Sequence, residues 1–125
     1  MNKTALSIIL FCLPLCGFAQ KTWTPIEQDI TFKIKNAGIT VNGRFDAGNT
    51  EIKFSPEALS KSSMKETILV NTLKTGIKLR DERLKKENYF DADSFKTIQV
   101  VSTSIYAKDA DFAGKFNVTI KGVTK

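Results

Sequence analysis

The sequence predicts an exported all-β domain of antiparallel strands. Two observations lead to this prediction: an apolar segment at the N-terminus, and apolar residues at every second position along much of the remaining chain. Apolar residues at alternate positions are typical of a strand with one buried face, whereas an amphipathic helix repeats about every 3.6 residues. The length of 125 residues suits one domain and leaves no room for a second.

The N-terminal segment predicts that residues 1–19 are a signal peptide. A single lysine precedes an apolar run over residues 5–15, which has the length of a signal sequence and about half that of a membrane-spanning helix. Small residues around Ala19 place the cleavage directly after it. The alternative is a lipoprotein signal acylated at Cys16, but the residues before this cysteine are bulkier than such signals use. We therefore expect residues 20–125 to be periplasmic or extracellular, with no membrane span after cleavage.

Removal of this signal limits the chemistry open to the domain. Cys12 and Cys16 would leave with it, and the chain contains no histidine. The domain then lacks a thiol nucleophile, the most common general base and the most common zinc ligand, so we expect no metal and no cofactor. Its net charge falls only from +6 to +5, because Lys3 is the one charged residue lost. The lysines are scattered, which favours a solvated surface over a nucleic-acid site.

Six segments of the domain show the strand pattern. A glycine-containing turn joins the first two, which predicts a hairpin. Gly43 lies within the second segment, where a missing side chain predicts a bulge or a bend. Because all but one of the connections are hairpin-like, we expect an antiparallel meander. The segments comprise residues 30–35, 39–45, 50–54, 64–74, 97–105 and 116–120.

Two connections carry further local signals. Ser55 and the proline after it have the residue types of a helix N-cap and first position, which predicts a single capped helical turn. Residues 77–88 are densely charged, with Ile77, Leu79 and Leu84 as their apolar anchors. We expect this segment to form a loop or a short helix that covers one end of the sheet.

Two pairs of aspartates are the remaining candidates for catalysis. Asp91 and Asp93 are spaced two apart, as are Asp109 and Asp111. Neither pair extends to the ligand pattern of a calcium loop, and nothing in the sequence places two acids across a cleft as in a glycosidase. Aspartates are common in the turns at strand ends. We therefore predict that the protein is not an enzyme, with a small carboxylate-dependent hydrolase as the alternative.

The alternation also predicts one strongly apolar sheet face. If the sheet curls into a barrel, this face lies inside. There it forms either a packed core or, as in eight-stranded barrels, a site for one small ligand. Alternation alone leaves both interpretations open. The residues of this face are Phe32, Ile34, Val41, Phe45, Ile52, Phe54, Ile68, Val70, Ile98, Val100, Phe116, Val118 and Ile120.

Several short motifs follow one another along the domain. They are Trp23, residues 32–45, Thr75 with Gly76, residues 80–85, residues 89–91 with Phe95, and residues 115–125. In this order they resemble the YceI-like family of exported lipid-binding proteins, over nearly the whole of residues 20–125. Each motif is weakly specific by itself, whereas the ordered set is fairly specific.

The resemblance implies a lipocalin-like antiparallel barrel without enzyme activity. Such a barrel would hold a long isoprenoid chain, such as the tail of a quinone or a prenyl phosphate, against the apolar face. Arg80 and Asp81 match the most recognisable dipeptide of the family. Arg80 could bind a phosphate head group, and the alternative is a local Arg80–Asp81 pair that structures the charged loop. Position 83 is arginine where many relatives carry histidine.

The family pattern continues beyond Lys125 with about two more strands, which an eight-stranded barrel needs. Six strands would leave an incomplete barrel with open edges and an exposed apolar face. We therefore expect an exported lipid carrier. The alternative is a non-binding fragment, or a module that self-associates through its open sheet edges.

Overall fold

A computed structural model describes residues 21–125, with the exception of the side chain of Asn36. These residues form nine strands, all paired antiparallel, and one short α-helix. The predicted all-β antiparallel fold is therefore confirmed. The predicted signal peptide and its cleavage site lie outside the described residues. Within residues 21–125, no helix combines the length and the apolar character needed to cross a membrane.

The strands belong to two sheets. They are β1 (Lys21–Trp23), β2 (Ile30–Asn36), β3 (Ile39–Phe45), β4 (Gly48–Phe54), β5 (Ser63–Leu69), β6 (Leu73–Lys74), β7 (Thr97–Lys108), β8 (Asp111–Ile120) and β9 (Val123–Thr124). The larger sheet has the order β1-β4-β5-β7-β8-β9, and the smaller has β2-β3-β6. The helix α1 spans Lys78–Leu84, and short 3-10 turns span Leu59–Lys61 and Val70–Thr72. The prediction of six strands is wrong because β1, β6 and β9 are too short to show alternation.

The chain crosses between the two sheets at a corner held by Thr72. The prediction of one strand over residues 64–74 is wrong, because β5 ends at Leu69 and β6 pairs with β3 in the smaller sheet. The Thr72 hydroxyl donates to the carbonyl of Leu69 (2.7 Å) and accepts the amide of Ala47 (3.2 Å). These side-chain bonds replace the strand ladder locally. The predicted meander is also interrupted at this corner, because β3 and β4 lie in different sheets, whereas the other predicted neighbours, β2–β3, β4–β5, β5–β7 and β7–β8, are paired.

Gly43 lies in a regular part of β3, so the bulge predicted there is wrong. It pairs with Phe32 across the β2–β3 hairpin, and a Cβ at position 43 would lie 2.2 Å from the Phe32 ring. The glycine leaves space for this ring. Phe32 packs against Phe45 and Phe90, with ring centroids 5.0 and 5.6 Å apart. A register irregularity lies instead in β7, directly after Ser102.

Ser55 closes a loop and does not begin a helix. Its amide donates to the hydroxyl of Ser62 (3.0 Å), and its carbonyl accepts the amide of Ala58 (3.1 Å). The 3-10 turn begins only at Leu59 and has no side-chain cap. The predicted capped turn is therefore wrong, because the backbone groups of Ser55 are used to connect β4 with β5.

The core lies where α1 and the turns after it cover the sheets. Leu84 is buried there, whereas Leu79 and Ile77 are 83% and 53% exposed. The prediction that all three anchor the charged segment is wrong. Leu84 shares the sheet-facing side of α1 with Arg80, four residues before it, and Leu79 lies on another side. The buried apolar residues of the core are Phe45, Ile68, Val70, Leu73, Leu84, Ala92 and Ile98.

The two sheets do not close into a barrel within residues 21–125. The strand β2 has a neighbour on one side only, and β9 covers only the last residues of β8. Apolar residues near the β8–β9 edge stay exposed, including Phe116 (40%), Ile120 (41%) and Val123 (59%). The expectation of an unclosed barrel is therefore confirmed for these residues.

Candidate ligand-binding site

A cavity of about 190 Å³ lies between α1 and the β2–β3 hairpin. Ile34 and Val41 pair directly across the hairpin, so their side chains lie together on one face. Leu84 contributes from α1 on the opposite side. The complete lining consists of Ile34, Val41, Arg80, Arg83, Leu84 and Tyr89. The site thus combines apolar walls with two guanidinium groups and a phenol.

Thr75 holds α1 in place through three of its polar atoms. Its amide and its hydroxyl donate to Asp81 Oδ1 at 2.8 and 2.5 Å. Arg80 Nε donates to the Thr75 hydroxyl, and Arg80 Nη2 to the Thr75 carbonyl, each at 2.8 Å. Gly76 follows with a φ of +88°, a conformation that suits glycine at the turn into the helix. Arg80 and Asp81 therefore share Thr75 as their partner and are not paired with each other.

The side chains of Arg83 and Tyr89 have no hydrogen-bond or ion-pair partner among the described residues. Glu82, next to Arg83, pairs instead with Lys85, whose ammonium lies 3.2 Å from the carboxylate. Arg83 is exposed and belongs to the lining of the cavity. The donors of Arg83 and Tyr89 are therefore free, and Arg80 keeps the N–H groups that do not bond to Thr75.

The residues predicted to line one apolar interior lie in several environments. Ile34 and Val41 line the cavity, whereas Phe116 and Ile120 are exposed. Most of the others belong to the buried core or pack against it. These residues are Phe32, Phe45, Ile68, Val70, Ile98, Val100 and Val118.

Two further predicted residues lie elsewhere in the larger sheet. Ile52 and Phe54 are half-buried on β4. Phe54 packs edge-on against Trp23 and Phe112, with ring centroids 6.1 and 4.9 Å apart. This aromatic cluster buries part of the sheet surface outside the buried core.

Arg83, Leu84 and Tyr89 line the cavity although the sequence does not single them out for it. A helical signal could have found the first two, because residues three and four positions after Arg80 share its face of a helix. Tyr89 follows the helix, and its approach to the cavity depends on the turns that lead to the core. No comparable sequence signal indicates it.

The aspartates considered for catalysis lie in turns or at a strand end. Asp91 has a φ of +51°, and its Oδ1 accepts the amide of Ser94 (3.3 Å). Asp109 has a φ of +53° in the turn between β7 and β8. Among residues 21–125, no cluster of acidic side chains is suited to hold a metal ion.

An ion-pair cluster lies at the corner between the sheets. Asp46 binds Arg44, whose Nε lies 2.9 Å from the carboxylate, and it also binds Lys74. The hydrogen bond from Lys74, with the charge of Arg44, holds the pKa of Asp46 below its ordinary value. The Asp46 carboxylate therefore pairs with neighbouring side chains of the protein.

The fold and the cavity define a class of protein: antiparallel sheets around an apolar interior, with a helix over one end, as in lipocalin-like folds. The family model described as the YceI-like domain matches residues 22–125. The chain therefore belongs to the YceI-like family, and the resemblance of its motifs is confirmed.

Curated relatives of the chain include UPF0312 proteins of Pseudomonas aeruginosa. They are 31% identical over 99 residues, which cover 77% of this chain and 51% of the relative. The chain thus spans about half the length of the curated relatives it matches.

Solved structures with the same fold come from several bacteria. Burkholderia cenocepacia BcnA is 22% identical with a TM-score of 0.71, over 78% of this chain and 62% of that one. A Campylobacter jejuni YCEI protein is 26% identical with a TM-score of 0.62, over 85% and 64%. A polyisoprenoid binding domain from Saccharophagus degradans is 16% identical with a TM-score of 0.50, over 76% and 55%.

Proposed function

We propose that this protein is an exported binding protein for an apolar, isoprenoid-type lipid, such as one with the tail of a quinone or a prenyl phosphate. The observation that carries the proposal is the apolar cavity under α1, in a chain of the YceI-like family. The Saccharophagus degradans neighbour, described as a polyisoprenoid binding domain, supports the choice of ligand class. The proposed role is binding without catalysis.

The cavity is smaller than a whole long-chain lipid requires. Sites for small molecules commonly measure about 300–1,000 Å³, whereas this cavity measures about 190 Å³. We therefore propose that it holds one end of the ligand and that the rest of the tail covers exposed apolar surface. A separate groove of about 230 Å³ is lined by Val118, Ile120, Val123 and Lys125. Because each buried CH₂ contributes about 0.8 kcal/mol, affinity should increase with tail length.

The proposed location is the periplasm or the extracellular space. Residues 1–19 have the charge, apolar run and small residues of a signal peptide. YceI-like proteins are typically periplasmic, which agrees with this interpretation.

The test is to identify what the protein carries when a bacterium exports it. The full chain, including residues 1–19, is expressed in a bacterium and purified from the periplasmic fraction. Its organic extract is then analysed by mass spectrometry. We expect an isoprenoid-type lipid at about one molecule per chain. Repeated preparations without any lipid would contradict the proposal.

A pair of variants links the lipid to the cavity. Val41→Phe places a ring in the cavity, whereas Thr40→Phe places the same ring on the exposed face of β3. We expect Val41→Phe to lose the lipid and Thr40→Phe to keep it, with thermal unfolding showing that both variants fold. Equal lipid content in the two variants would argue against the cavity as the site.

A second candidate function is self-association through the open sheet edges. The observation that favours it is the edge of β2, which pairs with β3 on one side only. Such unpaired edges are templates for strand pairing. Under this alternative, sedimentation at micromolar concentration should detect dimers or larger species, and a monomer throughout would contradict it.

A further inference from the structure

Two polar side chains of the cavity lining have no hydrogen-bond partner among residues 21–125. They are Arg83, with its guanidinium, and Tyr89, with its hydroxyl. Neither group bonds to another of the described residues. Arg80, the other cation of the cavity, already donates to Thr75 through Nε and Nη2. Arg80 keeps its remaining N–H groups but is held in place by Thr75, whereas all the side-chain donors of Arg83 and Tyr89 are left for a ligand.

The two acidic residues of α1 form no ion pair with Arg83. Asp81 accepts two hydrogen bonds from Thr75. Glu82 pairs with Lys85. Neither carboxylate forms an ion pair with Arg83, so its guanidinium can pair with an anion from outside the protein. An anion in the cavity would meet the two cations of its lining, Arg80 and Arg83.

We propose that Arg83 selects lipids with an anionic head group, a phosphate or a carboxylate, at the mouth of the cavity. The planar guanidinium matches two oxygens of either group, and the Tyr89 hydroxyl supplies a further donor. Ile34, Val41 and Leu84 receive the first carbons of the tail. The inference rests on the proposed function, and it deepens that function by favouring an anionic ligand over a quinone or an alcohol.

We expect the preference for an anionic over a neutral head group to be moderate, because Arg83 is exposed. Hydrogen bonds to charged groups contribute more than those between neutral groups. Solvent and salt weaken an exposed pair, so we expect the anionic head to improve affinity about tenfold at low ionic strength. Binding of an anionic lipid should weaken as salt is added, whereas binding of a neutral lipid should not.

The test compares three probes on the exported protein after removal of bound lipid. Geranylgeranyl monophosphate and geranylgeraniol share one tail and differ in head charge, and palmitate presents a carboxylate. Equilibrium dialysis gives their affinities. We expect the phosphate to bind about tenfold more tightly than the alcohol. The palmitate affinity then tells whether a carboxylate serves as well as a phosphate.

Variants assign the preference to one side chain. Arg83→Gln should lose the preference for the phosphate and keep the affinity for geranylgeraniol, and Arg83→Lys should keep part of the preference. Lys86→Gln removes the same charge outside the lining, so it should behave as the unaltered protein. Circular dichroism shows whether each variant is folded.

The outcomes separate this inference from the proposed function. Equal affinity of the unaltered protein for the phosphate and the alcohol would overturn the role of Arg83 and leave lipid binding intact. The role of Arg83 would also be overturned if Lys86→Gln lost the preference for the phosphate as fully as Arg83→Gln. Failure of all three probes to bind would overturn lipid binding and the inference together.

Discussion

Replacing Thr75 with valine removes a single hydroxyl from the segment that orients α1. The hydroxyl donates to Asp81 at 2.5 Å and accepts from Arg80 Nε at 2.8 Å. Valine keeps the shape of the side chain and the two backbone bonds of position 75. The Thr75→Val variant therefore leaves Arg80 Nε without its acceptor and Asp81 with one donor fewer.

The magnitude follows from the two bonds that are lost. A hydrogen bond to a charged group contributes about 1.5–3 kcal/mol. Thr75, Arg80 and Asp81 are only half-buried, so water replaces part of each interaction. We expect Thr75→Val to lower the free energy of unfolding by about 2 kcal/mol, which corresponds to a fall in Tm of about 10 °C for a domain of this size.

Urea unfolding followed by circular dichroism measures this loss. Thr75→Ser is the matched control, because it keeps the hydroxyl and should cost less than about 1 kcal/mol. The valine variant should also expose the amides of α1 to faster hydrogen exchange. If the valine and serine variants unfold at the same urea concentration, the hydroxyl of Thr75 does not hold α1.

Two other substitutions test the packing and the charges of the smaller sheet. Gly43→Ala should destabilise the fold by about 1–3 kcal/mol, because the new Cβ meets the ring of Phe32. Adding Phe32→Leu should recover part of this loss in urea unfolding, and strictly additive effects would contradict the steric explanation. The lowered pKa of Asp46 implies stability that is present above the ordinary aspartate pKa and lost as pH falls through the lowered value. Asp46→Asn should reduce the slope of stability against pH below about pH 4, and an unchanged slope would refute the role of its pairs with Lys74 and Arg44.

The β2–β3 hairpin shows what local patterns can predict. Its strands, Ile30–Asn36 and Ile39–Phe45, match the alternating segments closely. Alternation reports which face of a strand is buried, and a glycine-containing turn reports a reversal of the chain. Both signals depend only on residues that are close together in the sequence. The hairpin and the all-β class could therefore be predicted.

The corner at Thr72 shows what these local patterns cannot predict. Residues 64–74 remain β-like in composition, but the Thr72 hydroxyl bonds to Leu69 and Ala47 and ends the strand. Ala47 lies far from Thr72 in the sequence. A contact of this kind leaves no periodic signal, so the division into two sheets could not be predicted.

The sequence likewise predicts only part of the candidate site. Arg80 and Asp81 could be selected by family resemblance, but their shared partner, Thr75, became evident only from the hydrogen bonds. Ile34 and Val41 could be assigned to an apolar face. That they line a cavity while Ile68 and Ile98 are buried in the core depends on how α1 packs.

The sequence by itself determined the all-β class, the β2–β3 hairpin and the resemblance to the YceI-like family, because each rests on residue types at short, regular spacings. The tertiary structure alone decided that the sheets separate at Thr72, that α1 covers a cavity, and that Arg83 lines this cavity without an ion-pair partner among the described residues. These features arise where segments distant in the chain pack together. Their geometry depends on side-chain contacts between those segments, which no local pattern records.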